Sequence, residues 1–174
     1  FGDHKDAKGV FEMNSIRLLK TIETLNAGKD LSGHELRGPT GFFAGAALNI
    51  SVGNIEPHIK KLERKLAAGA RFIQTQPIFS LAQYESFRRQ AAHLNHARIL
   101  PGILYLKSAE GARRAAGMVP GVEVPQDTID RLEKAPDPKK EGIKLAAEMF
   151  RAFKKDSPGV HLMTLSSAKA ALQN

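Results

Sequence analysis

Apolar residues recur at helical spacing in some stretches and crowd into short runs in others, and the two patterns alternate along the chain. Ile16, Leu19, Ile22 and Leu25 follow Asn14 and Ser15, either of which can cap a helix that Asn26-Ala27-Gly28 closes. A polar, glycine-containing loop over 29–39 leads to residues 41–48, G-F-F-A-G-A-A-L, an apolar run expected to be a strand buried on both faces. Its small residues Gly45, Ala46 and Ala47 leave room for a neighbouring element or a flat ligand. Ile55, Ile59, Leu62 and Leu66 then form the apolar stripe of a second helix, whose Lys60, Lys61, Arg64 and Lys65 are expected on its solvated faces.

Gly69 suits the left-handed residue that ends this helix. Residues 71–76 alternate as a strand, with Phe72, Gln74 and Gln76 on one face, and Pro77 should stop it because proline has no backbone donor. Gln76 therefore stands at a strand's carboxyl end, where α/β folds place ligands, although a glutamine there can also cap its own loop. Ser80 caps a third helix to about residue 94, with Leu81, Tyr84, Phe87 and Ala91 inward. Pro101-Gly102 predicts a bulge within the strand at 98–105, and Lys107 and Ser108 enter the next helix. After a proline-punctuated loop at 119–125, one helix begins near Gln126 and another at Asp137-Pro138, the latter burying Ile143, Ala146, Ala147, Phe150 and Phe153. A last strand at 160–165 carries His161, read as a satisfied core histidine, and Met163 on one face; a short helix at 167–172 follows.

This alternation predicts an α/β fold of parallel βα units with right-handed crossovers. Four strands and the tail of a fifth, at Phe1-Gly2-Asp3-His4, occupy 174 residues, whereas a (β/α)8 barrel takes about 250. The expectation is a single domain over 1–174, the later half of a TIM-type barrel with a preceding part missing.

The composition is 42% hydrophobic and 25% charged, that of a globular protein, and no apolar run is long enough to cross a bilayer. The absence of cysteine removes disulfides and thiolate-held zinc, and with no secretory signal a cytoplasmic location is expected; no metal site is read from the sequence. The net charge of +8 favours anionic partners, but the basic residues are dispersed and no nucleic-acid motif accompanies them, so nucleic acid is set aside.

Taken in order, Gly2-Asp3, Gly45-Ala46-Ala47-Leu48-Asn49, Arg64-Lys65 with Ala68-Gly69-Ala70, Thr75-Gln76, Pro101-Gly102-Ile103-Leu104 and Gly159-Val160-His161 resemble the methylenetetrahydrofolate reductase family. The resemblance implies a flavin-binding (β/α)8 barrel that reduces 5,10-methylenetetrahydrofolate to 5-methyltetrahydrofolate in one-carbon metabolism and methionine biosynthesis. It implies FAD, with FMN the alternative, and NAD(P)H or another electron donor. By position, Asp3 matches the aspartate between flavin and pterin, the catalytic candidate of this chain. Gly2, Asp3, Arg64 and Lys65 match cofactor contacts, Leu48 and Lys61 stand at cofactor-contact positions where relatives carry other residue types, and Gln76 matches the glutamine that contacts the folate substrate.

The sequence departs from the family at His58, Gly111 and Ser167, where relatives carry other polar contacts, and the family's catalytic glutamate has no counterpart. A homo-oligomer, or pairing with a missing N-terminal half or a second subunit, is expected from the open strand edges of a half-barrel. The rival reading is a non-catalytic binding or assembly module that keeps the fold.

Overall fold

The computed structural model describes residues 12–118 and 123–164, with the side chains of 117 and 118 set aside. The expected elements at Phe1-Gly2-Asp3-His4 and 167–172, and part of the loop at 119–125, lie outside them. The order is α1 (Ser15–Asn26), β1 (Gly45–Leu48), α2 (Glu56–Ala67), β2 (Phe72–Pro77), α3 (Leu81–Gln90), β3 (Ile99–Tyr105), α4 (Ala109–Met118), α5 (Gln126–Lys134), α6 (Pro138–Phe153) and β4 (His161–Thr164). All pairings are parallel and the sheet runs β1-β2-β3-β4, so each crossover moves one strand along in the same direction. That progression is the arrangement of a partial TIM barrel.

Local chemistry sets the element ends. Asn14 accepts from the Arg17 amide, Ser80 from the Gln83 amide, and Asp137 from the amides of Lys139 and Lys140, each satisfying helix-start donors. Gly69 closes the α2 turn at φ +100°. The helices cover one face of the sheet. Leu62 of α2, Phe87 of α3, Phe153 of α6, Ile73 of β2 and Ile99 of β3 are all at most 1% exposed there, and the Tyr84 ring meets Phe153 edge-on at 4.6 Å.

Three expectations are corrected. β1 is not buried on both faces: Gly45 and Ala47 are exposed, because among the described residues the second face of the sheet carries no helix layer. α6 turns differently from its apolar pattern. Ile143 and Phe150 are 45% and 44% exposed, while Gly142 and Phe153 are buried. The cause is Gly142, whose missing Cβ lets the helix backbone press against the Leu106 carbonyl, a contact any side chain would block. Finally, Lys65 leaves the solvated basic cluster and is only 6% exposed.

Candidate functional site at the open face of the sheet

Strand alternation puts Gly45 and Ala47 of β1, Phe72, Gln74 and Gln76 of β2, Leu100, Gly102 and Leu104 of β3, and His161 and Met163 of β4 on the face away from the helices. Toward the amino ends this face is apolar. The Phe72 ring lies directly over Gly45, where no Cβ could fit, and Phe43 stacks on Phe72 at 5.6 Å and 13°. Two polar side chains flank Gly102 in the middle of β3: Gln76, near the carboxyl end of β2, and His161, the first residue of β4.

Gln76 is held by a break in the ladder. Pro77 has no N–H to give, so Ile78 donates to the Gly102 carbonyl instead, at 3.0 Å. The Thr75 hydroxyl takes up the displaced groups, accepting from the Gly102 amide at 2.8 Å and donating to the Gln76 carbonyl at 2.8 Å. The β2–β3 register shifts here, so the bulge foreseen from Pro101-Gly102 is present. A Cβ on Gly102 would sit 2.7 Å from the Gln76 and Thr75 carbonyl oxygens and from Met163 Cε, so only glycine lets β2 and Met163 approach this closely. Ser51 completes the frame by donating to the Pro77 carbonyl at 3.2 Å. The sequence marks Thr75 only as part of the Thr75-Gln76 motif and does not single out Ser51; the framing role of Thr75 is signalled only by a hydroxyl two residues before a proline at a strand end.

The cationic part of the site comes from α2. Lys61 and Lys65 are one turn apart on the flank of the apolar stripe, and Lys65 Nζ donates to the Ala47 carbonyl at the end of β1. Burial holds the Lys65 ammonium below the usual lysine range, and the charge of Lys61 lowers it further. Among the described residues no carboxylate pairs with Lys65, although a buried charge is ordinarily paired. Arg64 is not brought to this point: it stands on the side of α2 opposite the apolar stripe and is exposed. Leu48 is 3% exposed within the core beneath α2, so its side chain faces the helix layer. Gly2 and Asp3 lie outside the described residues, as does Ser167. Ser108 caps α4 by accepting from the Gly111 amide at 3.0 Å.

His161 departs from its sequence reading. It is not a satisfied core histidine: its Nδ1 is buried with no hydrogen-bond partner. On the helix-covered side, a cavity of about 380 Å³ opens between α3, β3, α5 and α6, lined by Leu81, Ile103, Leu145 and Met149 with Arg131 among its polar groups; it reaches neither Gln76 nor Lys65. No group of metal-binding side chains is found among the described residues, and no helix there is long and apolar enough to cross a membrane.

A parallel sheet whose strands follow one another in chain order, with helices over one face, defines a partial TIM-barrel-like fold. More particularly, the chain belongs to the methylenetetrahydrofolate reductase family, whose model matches residues 42–173. It is 32% identical over 112 residues to the probable methylenetetrahydrofolate reductase (NADPH) of Caenorhabditis elegans, a match covering 60% of this chain and 17% of that protein. The chain thus spans under a fifth of that relative's length. In fold it is similar to an uncharacterized protein from Clostridium thermocellum that binds two copies of 5-methyl-5,6,7,8-tetrahydrofolic acid. The TM-score is 0.51 at 14% identity, over 74% of this chain and 49% of the other.

Proposed function

We propose that this chain supplies βα units to a flavin-dependent barrel that reduces 5,10-methylenetetrahydrofolate to 5-methyltetrahydrofolate. The observation that carries the reading is Lys65, a nearly buried ammonium with no carboxylate partner among the described residues, placed against the end of β1 beside Lys61. Two uncompensated cations at a strand's carboxyl end favour an anion, and a flavin nucleotide brings phosphate. Lys61, which is exposed, reaches the anion, while Lys65 adds its charge from a site where solvent screens it little. Ala47, small and exposed near the end of β1, leaves space beside the strand for a ring system, while the space over Gly45 is taken by Phe72. FAD fits these residues and FMN is the alternative; when bound, the flavin supplies the hydride transfer, with NAD(P)H as the donor class.

The Gln76 backbone is held by Thr75 and the bulge, and its side-chain amide can both donate and accept, which suits the edge of a pterin. Asp3, with Gly2 before it, is assigned the carboxylate between flavin and pterin on family resemblance, whereas Leu48 and Arg64, which the resemblance also marks as cofactor contacts, face the core and solvent respectively and are left out of this site. Strands beyond β1 and β4 complete the barrel, from the rest of a longer polypeptide or from a second copy. The folate bound by the Clostridium thermocellum neighbour is the product of this reaction.

The test is titration of the purified chain with FAD and FMN, followed by flavin absorbance and fluorescence. Stoichiometric binding that weakens at least about tenfold on Lys61→Gln with Lys65→Met supports the site. Flavin binding unchanged by the double substitution, or no flavin binding by the folded chain, overturns it.

A further inference from the structure

His161 has two ring nitrogens in unlike settings. Nδ1 is buried and meets no hydrogen-bond partner among the described residues, whereas Nε2 is not enclosed in this way and the residue as a whole keeps part of its surface open. A proton on Nδ1 would be a buried donor with nothing to receive it, the costlier way to leave a polar atom unsatisfied. The proton therefore belongs on Nε2. The register places the residue: His161 pairs with Gly102 on the open face, and Met163 two residues on packs against Gly102. On the other side of Gly102, β2 carries Gln76.

We propose that His161 is a positioning residue for the ligand of the open face, presenting a fixed Nε2–H donor across Gly102 from Gln76. The two side chains differ in what they accept from a ligand. Gln76 offers a donor and an acceptor, while His161 in this tautomer offers only a donor, so it selects a ring carbonyl or ring nitrogen. On the folate reading above, on which this inference rests, that acceptor is on the pterin ring. The orphan Nδ1 is then the cost of holding the imidazole in one tautomer without a protein partner.

The experiment combines nitrogen-15 histidine NMR of the whole chain with titration by 5-methyltetrahydrofolate. The free chain should show His161 as the Nε2–H tautomer, and its Nε2 resonance should move on saturation. His161→Gln, whose amide nitrogen reaches the place of Nε2, should bind within about threefold of the native chain, while His161→Asn, which mimics only the Nδ1 side, should lose about tenfold or more. Thermal midpoints of both variants within a few degrees of the native chain would separate this from a folding effect. Saturable binding with an Nδ1–H tautomer, or with Asn and Gln variants equally affected, overturns the role of His161 and leaves the folate reading standing. No saturable folate binding by the native chain overturns the folate reading, and the assignment of His161 falls with it.

Discussion

The two faces of one sheet have been put to opposite uses. On the helix-covered face Ile73, Ile99, Leu62, Phe87 and Phe153 are sealed at 0–1% exposure, and the cation nearby, Arg131, is held between Glu141 and Glu148 at 2.7 and 2.9 Å. On the open face the strands carry Gln74, Gln76 and His161, none fully buried, and the cation at its edge, Lys65, has only a backbone carbonyl. Where every group has its partner the structure gains stability. Where a buried ammonium and an imidazole nitrogen lack one among the described residues, the proposed reading puts a ligand.

Substitutions can break this division. The largest effect is expected on the closed face: Phe153→Ala removes a fully buried ring that meets Tyr84, and should cost about 3–5 kcal/mol in urea unfolding. A loss below about 1 kcal/mol would show that this face is not the stabilising one. At the edge of the open face, Lys65→Met should weaken flavin binding about tenfold and leave the protein folded, because it removes a charge that burial opposes.

The same variant alters the pH dependence. The folded-state pKa of Lys65 lies below its unfolded value, so between the two the unfolded chain binds more protons and stability rises with pH through that alkaline window. Lys65→Met should flatten this rise; an unchanged slope in denaturation curves would remove the buried-ammonium argument. The smallest effect belongs to Arg131→Met. Its guanidinium hydrogen-bonds hold the carboxyls of Glu141 and Glu148 below their usual range, so the stability they lend is present above the ordinary glutamate pKa and lost as pH falls through the lowered values. The pair is partly exposed, and a drop of about 2 °C in midpoint near neutral pH, a weaker acid limb and unaltered flavin binding are expected.

Local signals carried most of the fold. Asn14, Ser80 and Asp137 announce helix starts within a few residues of themselves, and Gly69 and Pro101-Gly102 mark a turn and a bulge by backbone chemistry alone. What the sequence hid depends on partners far along the chain. The rotation of α6 could not be read, because Gly142, Ile143, Leu145, Ala146, Met149, Phe150 and Phe153 leave apolar positions on several sides and Leu106 chooses among them.

The site divides in the same way. Gln76 was visible as a polar residue at a strand's carboxyl end, and Lys61 and Lys65 through their place in a family pattern. That Lys65 turns inward while Arg64 turns out follows from the seating of α2 on β1, not from composition. The lack of a partner for His161 Nδ1 is a fact of three neighbouring strands and has no trace in its own segment.

The central claim, that the open face binds the ligand and the closed face only supports it, is tested most directly by titrating the native chain and Gln76→Leu with 5-methyltetrahydrofolate while recording both thermal midpoints. The account predicts saturable binding by the native chain, at least about a tenfold loss in the variant, and midpoints within about 2 °C of each other. Equal affinity in the two, at equal stability, would contradict it.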